Sequence, residues 1–183
     1  MPRADSLLCL EHVREPDVSA ALDRELIALI SGCFDQPHNA FFRERRYAQE
    51  LPRHRYMLRS VEGQLVAHLA VHEKVVGVGG ADVAVGGMAE VCVRPEQRGR
   101  GHVHRLLEEA HHGLLERGVL FAVLFGDSKI YGSSGYRPIS ATIARLDPAT
   151  QRVEVAPHPS ALVRALADRP WPDGPVDLRG PLF

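Results

Sequence analysis

Apolar residues divide the chain into stretches of helical and of extended period. Between Ser19 and Phe34, Leu22, Leu26, Leu29, Ile30 and Cys33 recur mostly at spacings of three and four, the stripe of an amphipathic helix. Gly32 near its end and Pro37 beyond it are stop signals. A second, more charged helix is predicted from Ala40 to Leu51, closed by Pro52. There Arg43, Arg45 and Arg46 alternate with Glu44 and Glu50, the pattern of a solvated face. From Arg55 the pattern becomes extended. Residues 56–61, the turn Glu62-Gly63-Gln64 and Leu65 to Val76 predict a hairpin. Glycines between Gly77 and Gly80 and the pair Gly86-Gly87 set off a short strand, Ala81 to Val85, and Met88 to Val93 predicts another. A helix from about Gly101 to Arg117 has Leu106, Leu107, Ala110, Leu114 and Leu115 on its apolar face and Gly118 at its left-handed cap. Val119 to Phe125 is almost continuously apolar, as in a buried strand. From Ser140 onward the pattern predicts a strand (Thr142 to Leu146), a short helix (Ser160 to Asp168) and an extended segment (Val176 to Leu182). Eight of the 13 prolines lie from Pro138 on.

Composition narrows the class. The 183 residues suffice for one domain with its own core. A net charge of −1 and a pI near 6.8 argue against a nucleic-acid partner, which would select a basic face. Cys9, Cys33 and Cys92 have no metal-ligand spacing and cannot pair completely, which suits a reducing compartment. The apolar patch Leu7 to Leu10, between Asp5 and Glu11, is too short for a secretory signal. No apolar run approaches the roughly 20 residues that span a bilayer. The expectation is a cytoplasmic protein with no membrane partner.

The chemistry concentrates in residues 89–103, Ala-Glu-Val-Cys-Val-Arg-Pro-Glu-Gln-Arg-Gly-Arg-Gly-His-Val. A buried strand runs into a glycine-rich turn, and a helix begins at once. Such a turn presents backbone N–H groups at the positive end of a helix, an anion site. Arg98 and Arg100 add charge, and a pyrophosphate is the natural guest. The glycines fit neither the dinucleotide fingerprint, since His104 stands three places after Gly101, nor a P-loop, since no Gly-Lys-Ser/Thr follows. The plain alternative is a strand-to-helix turn with its arginines in solvent.

This segment resembles motif A of the GCN5-related N-acetyltransferases (GNAT), Gln/Arg-x-x-Gly-x-Gly/Ala at a helix start, with Arg98, Gly101 and Val103 on its defined positions. The preceding Val91, Val93 and Pro95 are also typical, and the resemblance runs from about Arg55 to Tyr136. It implies an α/β acyl-CoA N-acyltransferase fold: a mixed, mostly antiparallel sheet flanked by helices, with acetyl-CoA as co-substrate in a V-shaped gap between two parallel strands. It further implies a backbone amide near Val93 on the acetyl carbonyl and a pyrophosphate on the turn, so that Val91, Cys92, Val93, Arg98, Gly99, Arg100, Gly101, His102 and Val103 form the cofactor site. Val103 departs from the usual Gly or Ala, and its branches crowd the phosphates unless the helix shifts slightly. Downstream, Tyr131 and Gly135-Tyr136 resemble the family's Tyr-x-x-x-Gly-Phe/Tyr. By that resemblance Tyr131 protonates the departing CoA thiolate, a transfer suited to a phenol of pKa ~10. Ser128 joins the cofactor contacts, and Asp127 or Ser128 stands where the family often has Asn. The ending Gly174, Val176, Phe183 is weakly similar to that of a bacterial subgroup of small acetyltransferases near the aminoglycoside 2'-N-acetyltransferases. On this reading 1–183 is a single domain with a core at about 19–139 and a tail, 140–183, that completes the acceptor side.

An amine must lose a proton before it attacks. Glu90, a charge in an apolar strand, is the first candidate base, with a salt bridge to a neighbouring strand as its alternative. By strand alternation Glu90 and Cys92 share one face and Val91 and Val93 the other. His68, His72 and Glu73 are second-rank. The 10 histidines include no pair at ligand spacing within the helix of His102, His104, His111 and His112, so no metal is expected. Trp171 lines an acceptor pocket or packs the tail down. The acceptor is a small-molecule or peptide amine, and a homodimer stays open. Three rival functions remain: the same fold with a longer acyl donor, a non-catalytic acyl-CoA-binding module, and a protein acetyltransferase, although the sequence shows no partner-docking module.

Overall fold

In the computed structural model, which describes residues 8–183, ten strands and three α-helices follow one another along the described chain. They are β1 (Cys9–Arg14), α1 (Ala20–Cys33), β2 (His54–Arg59), β3 (Leu65–Val78), β4 (Ala81–Val93), α2 (His102–Glu116), β5 (Phe121–Phe125), α3 (Ser128–Tyr131), β6 (Arg137–Pro138), β7 (Thr142–Asp147), β8 (Arg152–Pro157), β9 (Ala161–Ala165) and β10 (Val176–Asp177). Of the apolar patch, Leu7 and the flanking Asp5 lie outside the described residues. The chain divides into two compact units, one ending at Val71 and resuming from Glu90 to Ala110, the other comprising His72–Ala89 and His111–Phe183. β3, β4 and α2 each continue from one unit into the other.

In the first unit β1 pairs antiparallel with β2, Cys9 opposite Arg59 through Arg14 opposite His54, and β2 pairs antiparallel with β3. The short sequence of β1 carries no strong alternation, so it is unanticipated. Helix α1 begins at Ser19, whose hydroxyl accepts the Leu22 N–H at 3.2 Å, a cap worth about 1 kcal/mol. Its apolar stripe buries Leu26, Leu29 and Ile30 against Phe42, Met57, Leu65 and Cys92. Truncating one of these leucines to alanine costs about 2–5 kcal/mol. The charged helix expected from Ala40 to Leu51 does not form. A 3-10 turn, Pro37–Arg43, replaces its start, and irregular chain follows. The cause is tertiary. Arg46 pairs with Glu15 and Asp23, and the Arg45 guanidinium donates to the Ala48 carbonyl, so these side chains serve the interior and not a solvated face.

The second unit holds a mixed sheet in the order β6-β9-β5-β4-β3-β10-β7-β8. β4 with β5 and β7 with β10 run parallel; β5/β9, β6/β9, β3/β10 and β7/β8 are antiparallel. Its core includes Val76, Val78, Val85, Phe121, Val123, Ile143, Val163 and Val176. The two strands expected at 81–85 and 88–93 are one. Gly86 and Gly87 are packing points: a Cβ at Gly86 would lie 2.3 Å from Leu114, and one at Gly87 2.5 Å from the Phe183 ring. The helix expected at 160–168 is instead β9. Ala161, Leu162 and Val163 are all buried and pair with β5, a two-sided burial that suits a strand and not an amphipathic helix. β8 and the two-residue β6 are unanticipated, and the extended segment at 176–182 keeps ladder geometry only at β10. α2 ends at Glu116, and Gly118 just beyond it, with φ +78°, takes the left-handed cap position.

Candidate active site

The turn between β4 and α2 belongs to the first unit. A 3-10 turn, Pro95–Gln97, leads into Arg98, Gly99 and Arg100, all exposed, and α2 starts at His102. Gly99 has φ +73° and Gly101 φ +80°, a region costly to residues with a Cβ. A Cβ at either would meet no atom within 4 Å. The glycines therefore answer a backbone demand and leave the space above the turn open. The Arg105 N–H closes the first helical turn on the Gly101 carbonyl at 3.0 Å, so the amides of residues 102–104 belong to the helix end that favours anions. Val103 is half-buried and His102 is buried. Arg98 donates through Nε to the Val93 carbonyl at 3.2 Å, and Arg100 reaches the Glu96 carbonyl. An exposed, cationic, glycine-opened helix start fits a pyrophosphate.

β4 is not regular as it approaches this turn. Glu90 has φ +43°, and a left-handed non-glycine residue inside a strand costs about 1–2 kcal/mol. The pleat breaks there, so strict alternation does not carry through residues 90–93. The Glu90 side chain is 8% exposed. Its Oε1 accepts the Ala48 N–H at 3.0 Å, while Oε2 is buried with no hydrogen-bond partner among the described residues. Burial raises the Glu90 pKa from 4.5 to about 7; the Ala48 amide and the Arg55 cation pull it back, and Glu15 pushes it up. Among the described residues Glu90 makes no salt bridge. It is a strained carboxyl poised to exchange a proton near neutrality.

Beneath it lies a charged ladder. Arg55 is fully buried and donates from Nε to Glu15 at 2.6 Å and from Nη1 to His68 Nε2 at 3.1 Å. Glu15 also accepts from Arg46. Arginine has only donors, so His68 Nε2 accepts; its Nδ1 carries the proton and donates to the Glu90 carbonyl at 3.0 Å. Burial, then the Arg55 cation, lowers the His68 pKa to about 3. This histidine is a neutral strut for the Glu90 backbone and no base. Glu73, another second-rank candidate, pairs with Arg117. His72 is buried, its ring 6.0 Å from that of Phe183. Sequence reasoning missed Glu15 and Arg55, although a charge inside the strand 54–59 was the available signal.

Cys92 is buried and hydrogen-bonded to Cys33, whose thiol also points to the Val93 carbonyl at 3.4 Å. Hydrogen bonding to Cys92 and the nearby Arg98 charge lower the Cys33 pKa from 9.0 to about 7 against the effect of burial.

Tyr131 and Ser128 belong to the second unit. Asp127 caps α3, accepting the Lys129 N–H at 2.8 Å; Ser128 is exposed in the first turn and Tyr131 half-buried in the last. A Cβ on Gly126 would lie 2.6 Å from the Tyr131 ring, so that glycine lets the phenol lie against the backbone. Tyr136 meets Tyr131 edge-on, with centroids 6.1 Å apart. Arg164 donates to His111 Nδ1 at 3.0 Å and to the Ser134 carbonyl at 2.9 Å, so the other His111 nitrogen bears the proton and donates to the Tyr136 hydroxyl at 2.8 Å. Trp171 meets Phe121 edge-on in the core of this unit. Among the described residues no three His, Cys, Asp or Glu are grouped to hold a metal, and no helix is long and apolar enough to cross a membrane.

A family model described as "Acetyltransferase (GNAT) domain" matches residues 18–139. No curated protein matches the chain. Among solved structures, a GNAT family N-acetyltransferase (YhbS) from Escherichia coli in complex with CoA is 20% identical, with a TM-score of 0.68 over 94% of this chain and 89% of that one. Escherichia coli ElaA is 15% identical, with a TM-score of 0.62 over 86% and 99%. A GNAT family acetyltransferase from Brucella melitensis in complex with acetyl-CoA is 18% identical, with a TM-score of 0.60 over 92% and 94%. These likenesses show the fold, a mixed sheet flanked by helices.

Proposed function

The chain belongs to the GNAT acetyltransferases, and from that premise we propose that it moves the acetyl group of acetyl-CoA directly onto an amine nitrogen. The single observation that carries this reading is Glu90: buried, strained, with one oxygen lacking a hydrogen-bond partner among the described residues and a pKa of about 7, on the strand that leads into the phosphate turn. Acetyl-CoA supplies the activated acyl group. Arg98, Gly99, Arg100, Gly101, His102 and Val103 hold its pyrophosphate, with Ser128 as a further contact, and the backbone of Val91, Cys92 and Val93 receives the acyl arm. The Val93 N–H stabilises the oxyanion. Glu90, directly or through water, takes the ammonium proton so that the nitrogen lone pair can attack. Tyr131 gives its phenolic proton to the departing thiolate. The nitrogen's second proton leaves as the tetrahedral intermediate collapses and the C–S bond breaks, and it returns, directly or through water, to the Tyr131 phenolate. Glu90 gives its proton to solvent, so protons and charge balance and no covalent enzyme intermediate forms. The tail, 140–183, completes the acceptor side, and the setting is cytoplasmic.

The test is thiol release from acetyl-CoA with a panel of small-molecule and peptide amines. Turnover with one or more amines, lost in Glu90→Gln and Tyr131→Phe while acetyl-CoA binding persists, supports the reading. Binding without turnover would establish the non-catalytic module, and faster turnover with long-chain donors would establish the longer-acyl enzyme.

A further inference from the structure

The last strand of the second unit's sheet has an open edge with a self-complementary sequence. β8 ends the order β10-β7-β8, and all six of its residues are exposed. The direction of its backbone groups follows from its neighbour. The Leu146 N–H donates to the Gly180 carbonyl and the Ala144 carbonyl accepts from Leu178, so residues 144 and 146 turn their backbone groups away from β8. By antiparallel alternation Ile143 and Arg145 turn theirs toward β8, where they face Ala156 and Glu154. Glu154 and Ala156 therefore spend their backbone groups on β7, and those of Val153 and Val155 point outward. Such an edge is a template for another strand, and natural sheets usually blunt it. Among the described residues Pro157, at the far end, and the charges of Arg152 and Glu154 are what blunt it here.

The side chains specify the guest. Val153 and Val155 lie on one face, opposite Leu146 and Ala144, and are 67% and 66% exposed. On the other face Glu154 pairs with Arg145. Around Val153 the sequence is Arg152-Val153-Glu154. An antiparallel copy of this strand, related by a two-fold axis at Val153, sets Arg152 opposite Glu154 of the partner subunit twice over. It also sets Val153 beside Val153 of the partner subunit in a hydrogen-bonded pair. An axis at Glu154 would instead set two carboxylates opposite each other, which destabilises a ladder. We propose that the β8 edge is a homodimer interface, in which a second copy of this chain adds its own β8 antiparallel in the register centred on Val153.

This inference does not depend on the acetyl-transfer reading, and its test uses the full chain without substrate. Sedimentation equilibrium of the wild type is expected to show a dimer of the 20.2 kDa chain. Val153→Asp, at a site exposed in the monomer, puts like charges on the axis and is expected to weaken association about tenfold or more without altering thermal unfolding of the monomer. Register is read by oxidation with diamide in a Cys9→Ser background, where two thiols lose their hydrogens to the azo compound and join. Hydrogen-bonded antiparallel partners stand ~5.5 Å apart at Cα, within disulfide reach. Val153→Cys is expected to give a covalent dimer and Glu154→Cys none. A wild type that sediments as a monomer at every concentration, a dimer indifferent to Val153→Asp, or cross-linking through position 154 in place of 153 would each overturn the proposal.

Discussion

Replacing Glu90 by glutamine should make stability less sensitive to pH. In the folded protein the Glu90 pKa rises from 4.5 to about 7, mainly because burial disfavours the anion. At about 1.36 kcal/mol for each pH unit, this places about 3 kcal/mol against the ionised form. A raised folded pKa means that stability is fully present below about pH 4.5 and is lost as pH climbs through about 7. The glutamine variant keeps the shape and lacks the titration. Its stability relative to wild type should therefore rise by about 3 kcal/mol between pH 4.5 and pH 8. Urea unfolding of both proteins across this range measures the difference, and groups titrating alike in both cancel. A constant difference would refute the claim that Glu90 is buried and unpaired, and with it the candidate base. As that base, Glu90 should also make kcat/KM rise with pH to a plateau, with a midpoint near 7.

Other expectations follow from the same geometry. Gly126→Ala must displace the Tyr131 ring, which lies 2.6 Å from the new Cβ; kcat should fall about tenfold or more with little change in KM for acetyl-CoA, and an unchanged kcat would show that the ring position is immaterial. Peptide-resolved alkylation should find Cys33 half-reactive near pH 7, and Cys92→Ala should move that midpoint upward by removing the hydrogen bond that favours the thiolate. Arg55→Met leaves Glu15 and His68 short of a buried partner and should cost about 3–5 kcal/mol in urea unfolding; a loss below about 1 kcal/mol would mean that Arg46 alone satisfies Glu15.

The sequence made local structure legible wherever one strong signal acted alone. The Glu62-Gly63-Gln64 turn, the Gly99/Gly101 turn and the Gly118 cap reflect demands that a residue places on its own backbone, and the stripe of α1 repeats one buried face over several turns. It misled where tertiary contacts decided. Gly86-Gly87 read as a break, yet each glycine makes room for a side chain remote in sequence, Leu114 or Phe183. Arg46 read as part of a solvated face because its partners, Glu15 and Asp23, are far off in the chain, while Arg45 folds back onto the nearby Ala48 carbonyl. Ala161 to Val163 is too short a run to separate strand from helix by period, and only pairing with β5 decides it. At the site, Glu90 stood out as a charge in an apolar strand, but its left-handed backbone and the neutral His68 strut have no local signature.

The central claim is that the turn from Arg98 to Val103 holds the pyrophosphate of acetyl-CoA, and calorimetric titration of acetyl-CoA into wild type and Gly101→Glu tests it most directly. Gly101 has φ +80° and open space beside it, so a glutamate there adds both strain and a negative charge where the phosphates would lie. The account predicts saturable binding by the wild type and at least about a hundredfold weaker binding by the variant, with thermal unfolding confirming that the variant is folded. No binding by the wild type, or equal binding by a folded variant, would contradict it.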